Sequence, residues 1–242
     1  IIPKMIKENP TELSNWWGEL KNLPLERMLN SKKTSTLFAL KEKLCHPKTL
    51  LIENLEEFKN FRPLKDITEW IARAAYSTAG NGVFRLCHRD FFDDKKVKTL
   101  KKMMADSPIV LEPYLKRVLD IGIVVNLKSP LNYSITENFV TEGGVFKGGL
   151  IYENKEDLKK KINKRFGNIS LIEESIEKIA SYYSGLGAEN FIQIDSFFYN
   201  EKGKIKYYPL VEVNYRKTMG LFLRSMKRFL PERGVGGWYF FS

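Results

Sequence analysis

Hydrophobic and polar residues recur with two different spacings along the chain, and together they predict both helices and strands. Leucines three and four residues apart predict a helix over residues 34–44, which Pro47 ends because proline has no backbone N–H to donate. A longer helix with a stripe of isoleucines is predicted from Ser170, and Gly185 and Gly187 end it. Further helices are predicted over residues 55–61, 94–105 and 155–166.

Strands are predicted where short apolar runs or alternating apolar and polar residues occur. These segments are residues 50–52, 67–75, 83–88, 109–111, 121–127, 133–140 and 145–152. Residues 191–199 and 206–214 lie on either side of a turn over residues 200–203, so we expect them to form a hairpin. Helices and mostly antiparallel strands thus alternate along the chain, which predicts an α+β fold.

The composition is that of a folded protein without a membrane-spanning helix. Of the 242 residues, 43% are hydrophobic and 13% are aromatic, which is enough for a packed core. Uncharged stretches fall well short of the roughly 20 residues that a membrane helix needs. Two cysteines argue against a disulfide framework and suit a reducing compartment, so we expect a cytoplasmic protein with no membrane partner.

The charge balance favours an anionic partner. Lysine and arginine outnumber the acidic residues 40 to 29, which gives a net charge of +11. Lysine runs over residues 95–102 and 159–164 have few aromatic residues among them, so they are typical of solvated helix faces and do not favour nucleic acid. The pairs Cys45 with His46 and Cys87 with His88 lack the spacing of zinc ligands.

A loop of small residues lies between two predicted strands, and such a loop can bring backbone N–H groups close to a phosphate. It consists of Ser77, Thr78, Ala79, Gly80, Asn81 and Gly82. Arg73 comes four residues earlier on a strand, where its positive charge could reach the same phosphate. An ordinary glycine-containing hairpin turn is the alternative interpretation.

Three oxygen-bearing side chains are predicted to meet on the last hairpin. Glu212 and Asn214 are two residues apart, so they face the same side of a strand, and Asp195 lies on the other strand of the hairpin. Two carboxylates and an amide oxygen are ligands of the kind that Mg²⁺ takes. The alternative is a polar face that an edge hairpin exposes to solvent.

The apolar strand over residues 109–111 is followed by Glu112 and Pro113. Backbone groups exposed at such a strand end could meet the edge of an adenine, and Asp120 lies eight residues beyond Glu112. Taken alone, the pattern is that of a strand end followed by a turn.

Together and in this order, these features resemble the ATP-grasp superfamily, which includes D-alanine–D-alanine ligase, glutathione synthetase and biotin carboxylase. The resemblance covers residues 24–224, and its most specific part is Glu212 and Asn214 with Asp195 on the preceding strand. The segment over residues 212–220 looks like that of an uncharacterised bacterial branch. The resemblance implies two α+β lobes that clasp ATP and Mg²⁺.

The resemblance also implies a role for each candidate residue. The ATP-binding residues would be Lys32, Arg73, Ser77, Thr78, Ala79, Gly80, Asn81, Gly82, Glu112, Leu115, Asp120 and Lys147. The Mg²⁺ ligands would be Asp195, Glu212 and Asn214. Arg216 would neutralise the transferring phosphoryl group or hold the substrate carboxylate, and Arg73, also catalytic, stands where the family usually has a lysine.

The activity that the resemblance implies is ATP-dependent ligation of a carboxylate to an amine or a thiol through an acyl phosphate. The substrates would be a small-molecule carboxylate and an amine. The alternatives are a kinase-like phosphotransferase and a non-catalytic basic protein that binds nucleotide or nucleic acid.

The resemblance also divides the chain into three segments. Residues 1–24 would be the remnant of a preceding domain or a linker, residues 25–112 the lobe with the glycine loop, and residues 113–242 the lobe with the metal site. The family usually has a further α/β domain before these lobes. We therefore expect that this domain is missing or is supplied by another chain, as in a homo-oligomer.

Overall fold

Two antiparallel sheets organise the chain in the computed structural model, which describes residues 23–76, 82–105, 107–141, 145–167 and 170–240. The strands of the smaller sheet are β1 (Leu50–Ile52), β2 (Glu69–Ala74), β3 (Val83–Cys87) and β4 (Ile109–Pro113), in the order β1-β4-β2-β3. The strands of the larger sheet are β5 (Lys116–Asn126), β6 (Ser129–Val140), β7 (Phe146–Tyr152), β8 (Phe191–Glu201), β9 (Lys204–Asn214) and β10 (Val235–Tyr239). Their order is β10-β7-β6-β5-β8-β9.

The helices lie mostly between the strands. They are α1 (Leu23–Leu29), α2 (Lys32–Glu42), α3 (Leu55–Asn60), α4 (Asp94–Met103), α5 (Lys155–Phe166), α6 (Ser170–Gly185) and α7 (Met219–Met226). Several start at a polar cap, as at α4, where the Asp93 carboxylate accepts from the first backbone N–H groups. Among the described residues, no helix is both long enough and apolar enough to cross a membrane.

Each sheet has its own hydrophobic core. One face of the larger sheet packs Ile121 and Ile194 against helices α2, α5 and α6, and each fully buried side chain of this kind contributes about 1.5–3 kcal/mol. The smaller sheet packs Trp70 and Leu111 against Phe58 of α3 and the adjoining turn. The remaining face of the larger sheet faces the smaller sheet, and a cleft lies between them.

Helix α2 belongs to the core of the larger sheet although it precedes both sheets in the sequence. Phe38 stacks on Tyr182 of α6 with ring centroids 4.0 Å apart, and Ala39 is buried in the same core. Residues 25–112 therefore do not share one hydrophobic core, since the buried apolar residues of α1 and α2 belong to the core of the larger sheet. The three-segment division of the chain stays a prediction.

The predicted α+β order is confirmed, and so is the hairpin of β8 and β9. Most predicted elements are present with boundaries shifted by one to five residues, the largest shift being the start of β5 at Lys116 instead of residue 121. Three of these helices and strands were not predicted, namely α1, α7 and β10. α7 and β10 lie after the last segment to which the sequence pattern assigned a structure.

Candidate active site

The cleft between the two sheets has a volume of about 1150 Å³ and gathers most of the predicted site residues. Those that line it are Lys32, Arg73, Glu112, Leu115, Asp120, Lys147, Asp195, Glu212, Asn214 and Arg216. Gly82 lies near the cleft in the turn before β3 and has a positive φ of 74°, but it is not among the lining residues. The predicted loop residues Ser77, Thr78, Ala79, Gly80 and Asn81 lie outside the described residues.

The two predicted metal carboxylates are cross-strand neighbours. Asp195 of β8 pairs in register with Glu212 of β9. Their neighbours Ile194 and Val213 are buried in the core of the larger sheet, so strand alternation turns both carboxylates toward the cleft. The interpretation as a solvent-exposed edge face is wrong, because the smaller sheet covers this face and forms the other wall of the cleft.

Lys32, at the first position of α2, forms an ion pair with Glu212. Its Nζ lies 2.6 Å from Oε2 of Glu212, and its side chain is 8% exposed. Burial raises the pKa of Glu212, but the charges of Lys32 and Arg73 outweigh burial and hold it below its usual range. Burial and the neighbouring Glu212 charge raise the pKa of Asp195 to about 7. The two carboxyl groups therefore differ in pKa, which is lowered for Glu212 and raised for Asp195.

Two carboxamides hold Asp195 from either side. Gln193 Nε2 donates to Oδ1 over 2.7 Å, and Asn214 Nδ2 donates to Oδ2 over 3.0 Å. The oxygen of Asn214 instead accepts from Nε and Nη2 of Arg216, at 3.1 and 2.8 Å. Sequence reasoning missed Gln193, although its position two residues before Asp195 puts it on the same face of β8.

A second charged group lies deeper, where the two sheets meet. Arg73 Nε is 3.1 Å from Oε1 of Glu112, and their side chains are only 5% and 4% exposed. The Tyr208 hydroxyl donates to the other oxygen of Glu112, and Arg73 Nη1 donates to the Val211 carbonyl over 3.2 Å. The side chain of Glu112 therefore faces protein groups, and a ligand in the cleft has better access to the backbone that follows it.

The remaining predicted residues line the cleft along β5 and β7. Asp120 accepts from Arg117 Nη1 over 2.7 Å, and burial raises its pKa despite this partner. Arg117 also lies 4.3 Å from the ring centroid of Phe197. Leu115 lines the cleft just before β5 begins, and Lys147 lines it from β7. This wall combines apolar surface with charged groups at its rim.

Helix α7 closes part of the cleft and was not foreseen. Residues 217–220, which lead into it, line the cleft next to Arg216. Gly220 permits a close approach to β8 and β5, because a Cβ at this position would lie 2.5 Å from Gln193 Oε1 and 3.1 Å from Val124 Cγ2. A small residue at the start of α7 is therefore required by packing.

Several solved structures have a fold similar to that of this chain. N5-carboxyaminoimidazole synthetase from Staphylococcus aureus in complex with ADP superposes with a TM-score of 0.50 at 11% identity, over 80% of this chain and 46% of that one. The biotin carboxylase domain of 2-oxoglutarate carboxylase from Hydrogenobacter thermophilus, with MgADP and bicarbonate, gives 0.54 at 13%, over 79% and 40%. An L-amino acid ligase from Bacillus licheniformis gives 0.50 at 14%, over 94% and 54%.

The chain has the ATP-grasp fold, and the resemblance seen in the sequence is confirmed at the level of the fold. It spans about half the length of the solved structures that it matches. No protein-family model matches the sequence, and no curated protein does. The identities are too low to transfer an activity, so function has to be argued from the cleft itself.

Proposed function

We propose that the protein is an ATP-dependent ligase that joins a carboxylate to an amine or a thiol through an acyl phosphate. The observation that carries the proposal is the Asp195 and Glu212 pair, flanked by Lys32 and Arg216, in the cleft of an ATP-grasp fold. Such a cleft combines oxygen ligands for a cation with fixed positive charges. Both are needed where charge develops on a transferring phosphoryl group.

The donor set fits Mg²⁺. The amides of Gln193 and Asn214 donate to Asp195, and its pKa is raised to about 7, first by burial and second by the repulsion between the two facing carboxylates. A divalent cation between Asp195 and Glu212 would remove it, with Asn214 as a third ligand if its amide turned its oxygen inward. Bound there, Mg²⁺ would stabilise negative charge on phosphate oxygens.

The other residues of the cleft have separate tasks in this proposal. Arg216 reaches Asn214 with Nε and Nη2, which leaves Nη1 as a donor for a carboxylate or phosphoryl oxygen of the substrate. Lys32 keeps Glu212 charged and therefore able to bind a cation. The two sheets shield the reacting carboxylate from bulk water, which protects an acyl phosphate from hydrolysis.

The nucleotide would lie along the wall made by residues 113–115 and β5. Leu115 offers apolar surface and backbone groups to an adenine, and Asp120 lies where ribose hydroxyls would come. Lys147 would reach adenine or phosphate from β7. Arg73 remains a proposed phosphate ligand and is the most constrained, because Glu112 and Val211 already hold two sides of its guanidinium.

The first experiment is thermal unfolding with ATP, with and without Mg²⁺. Ligand at 100 times its dissociation constant stabilises by about 2.7 kcal/mol, which raises the melting temperature of a chain of this size by several degrees. We expect a Mg²⁺-dependent rise that Glu212→Ala abolishes. The control Glu137→Ala removes a carboxylate that is paired with Lys161 of α5, outside the proposed metal site, and should keep the rise.

The outcomes separate the two parts of the proposal. A full Mg²⁺-dependent rise in Glu212→Ala would disprove the metal assignment. No rise in the unmodified protein at millimolar ATP and Mg²⁺ would contradict a nucleotide site altogether. ADP release that needs both a carboxylate and an amine indicates a ligase, whereas release with one acceptor and no amine indicates a phosphotransferase.

A further inference from the structure

The outer edge of β10 is an unpaired strand edge in the described part of the chain. β10 is the last strand of the larger sheet and pairs with β7 on one side only. Phe240 N donates to the Lys147 carbonyl, and Glu153 N donates to the Gly234 carbonyl, each over 2.9 Å. Because antiparallel pairs alternate, the even-numbered residues bond to β7, and the N–H and C=O groups of residues 235, 237 and 239 point outward.

The opposite edge of the same sheet, at β9, is covered by another part of the chain. At β9, the N–H of Leu210 donates to the carbonyl of Leu44 over 3.0 Å, and helix α2 lies alongside. That edge is therefore covered by the chain itself, which is a common protection against unwanted pairing. β10 has neither a lysine nor a proline, and its residues are mostly exposed. Its edge is suited to accept another strand.

Aromatic side chains surround this edge. Trp238, Tyr239 and Phe240 are 40%, 46% and 48% exposed. Phe222 of α7 packs edge-on against Trp238 at 5.3 Å, and Phe139 of β6 stacks on Tyr239 at 5.4 Å. We call these five aromatic residues the β10 surface. Trp238 and Tyr239 are consecutive in β10, so these contacts lie on opposite faces of the strand, and exposed aromatic groups of this kind are typical of surfaces that bind another molecule.

The segment that leads into β10 is strongly basic. Residues 224–233 contain Arg224, Lys227, Arg228 and Arg233 and a single acidic residue, Glu232. A second copy of this chain, which also carries a net charge of +11, would bring two such segments together and be repelled. The charge therefore favours an acidic partner over self-association.

We propose that the outer edge of β10 binds an extended acidic peptide segment by strand addition. Main-chain hydrogen bonds to residues 235, 237 and 239 would hold the peptide, and the β10 surface would cover its apolar side chains. Arg228 and Arg233, which are both exposed, would pair with its carboxylates. Phe240, just beyond β10, lines the cleft, so the bound segment lies next to the candidate active site.

The test is binding of a fluorescein-labelled decapeptide of alternating glutamate and valine, measured by anisotropy at low salt. The expected result is saturable binding that weakens as salt is added. Tyr239→Pro removes one outward N–H, whereas Tyr239→Ala loses the same ring and keeps that N–H. Relative to Tyr239→Ala, the proline variant should bind about threefold to tenfold more weakly, as expected for one lost hydrogen bond.

A charge-reversal pair tests the electrostatic part. The double variant Arg228→Glu with Arg233→Glu should weaken binding by at least about tenfold, because it reverses two charges at the rim. Lys98→Glu with Lys101→Glu changes the net charge equally on α4, which packs against the smaller sheet, and should change affinity by less than about threefold. Circular dichroism of each variant confirms that it is folded.

Four results would overturn the proposal. One is the absence of binding by the unmodified protein at millimolar peptide. Another is equal binding of a peptide methylated on alternate backbone nitrogens, which cannot add as a strand. Equal binding of a labelled decapeptide of alternating lysine and valine would exclude charge recognition. Concentration-dependent dimers that Tyr239→Pro abolishes would identify a second copy of the chain as the occupant. None of these results depends on ligase activity.

Discussion

Two groups of buried charges lie at the base of the cleft, and they are balanced differently. In the deeper group, Arg73 faces Glu112, one charge of each sign, and the hydroxyl of Tyr208 takes up the remaining carboxylate oxygen. In the outer group, Lys32 is paired with Glu212, while Asp195 receives hydrogen bonds from neutral amides. The first group is a direct ion pair, whereas the second holds two carboxylates side by side on neighbouring strands.

The difference separates a structural task from a chemical one. A sealed ion pair between two sheets fixes their relative position, since removing either partner leaves a buried charge without compensation. Two carboxylates held side by side in the cleft lower the free energy of unfolding. Such arrangements are typical of sites that bind a ligand. Variants that break one group and spare the other can test this distinction.

The largest expected effect is on the deeper group. Glu112→Gln removes the charge with little change of shape and leaves Arg73 buried without its direct ion-pair partner. We expect a loss of about 3–5 kcal/mol in the free energy of unfolding, measured with urea. The control Glu53→Gln breaks an exposed ion pair with Lys33 at 3.2 Å and should cost less than about 1 kcal/mol. Equal losses in the two variants would contradict the structural role.

The opposite sign is expected for Asp195. Its pKa of about 7 lies above that of an unfolded carboxyl, so its stabilising contribution is present in acid and is lost as the pH rises from about 4 to about 7. Asp195→Asn removes this penalty and should gain about 1–3 kcal/mol at pH 8 without metal. Urea unfolding between pH 4 and pH 8 measures the effect. A variant that retains the full pH dependence would assign it to another group.

The smallest effect is expected where charge is kept and shape is changed. Arg73→Lys retains the positive charge opposite Glu112 but loses the donor to the Val211 carbonyl. The expected loss is about 0.5–1.5 kcal/mol, the contribution of one hydrogen bond. Urea unfolding of Arg73→Lys and of Glu112→Gln under the same conditions gives the ratio of their losses in the free energy of unfolding. A loss as large as that of Glu112→Gln would show that the fork geometry of arginine, and not its charge, joins the sheets.

The sequence allowed the outer group to be predicted better than the deeper one. Alternation along β9 put Glu212 and Asn214 on one face, and the turn before β9 brought Asp195 opposite, all by local rules. The contact of Lys32 with Glu212 and that of Arg73 with Val211 join residues 180 and 138 positions apart. No local pattern encodes such contacts, because they arise only when the two sheets pack.

β10 and α7 were not predicted from the sequence, for a similar reason in each case. β10 contains Gly236 and Gly237, which have low strand propensity, and it becomes a strand through its register with β7, some 85 residues earlier. Helix α7 is only eight residues long, with Gly220 near its start, so its own sequence favours a helix weakly. Tertiary packing decides both.

Several of the links between the two sheets in the described part of the chain lie at the base of the cleft. The N–H of Lys32 donates to the carbonyl of Ala75, just after β2, Arg73 donates to Val211 of β9, and only Tyr114 and Leu115 separate β4 from β5. Because these links hold the base, we expect any opening of the cleft to widen the far rim more than the base. Lys32 contacts both sheets, through Ala75 and through Glu212, so its distances to these two residues should change little when the cleft opens.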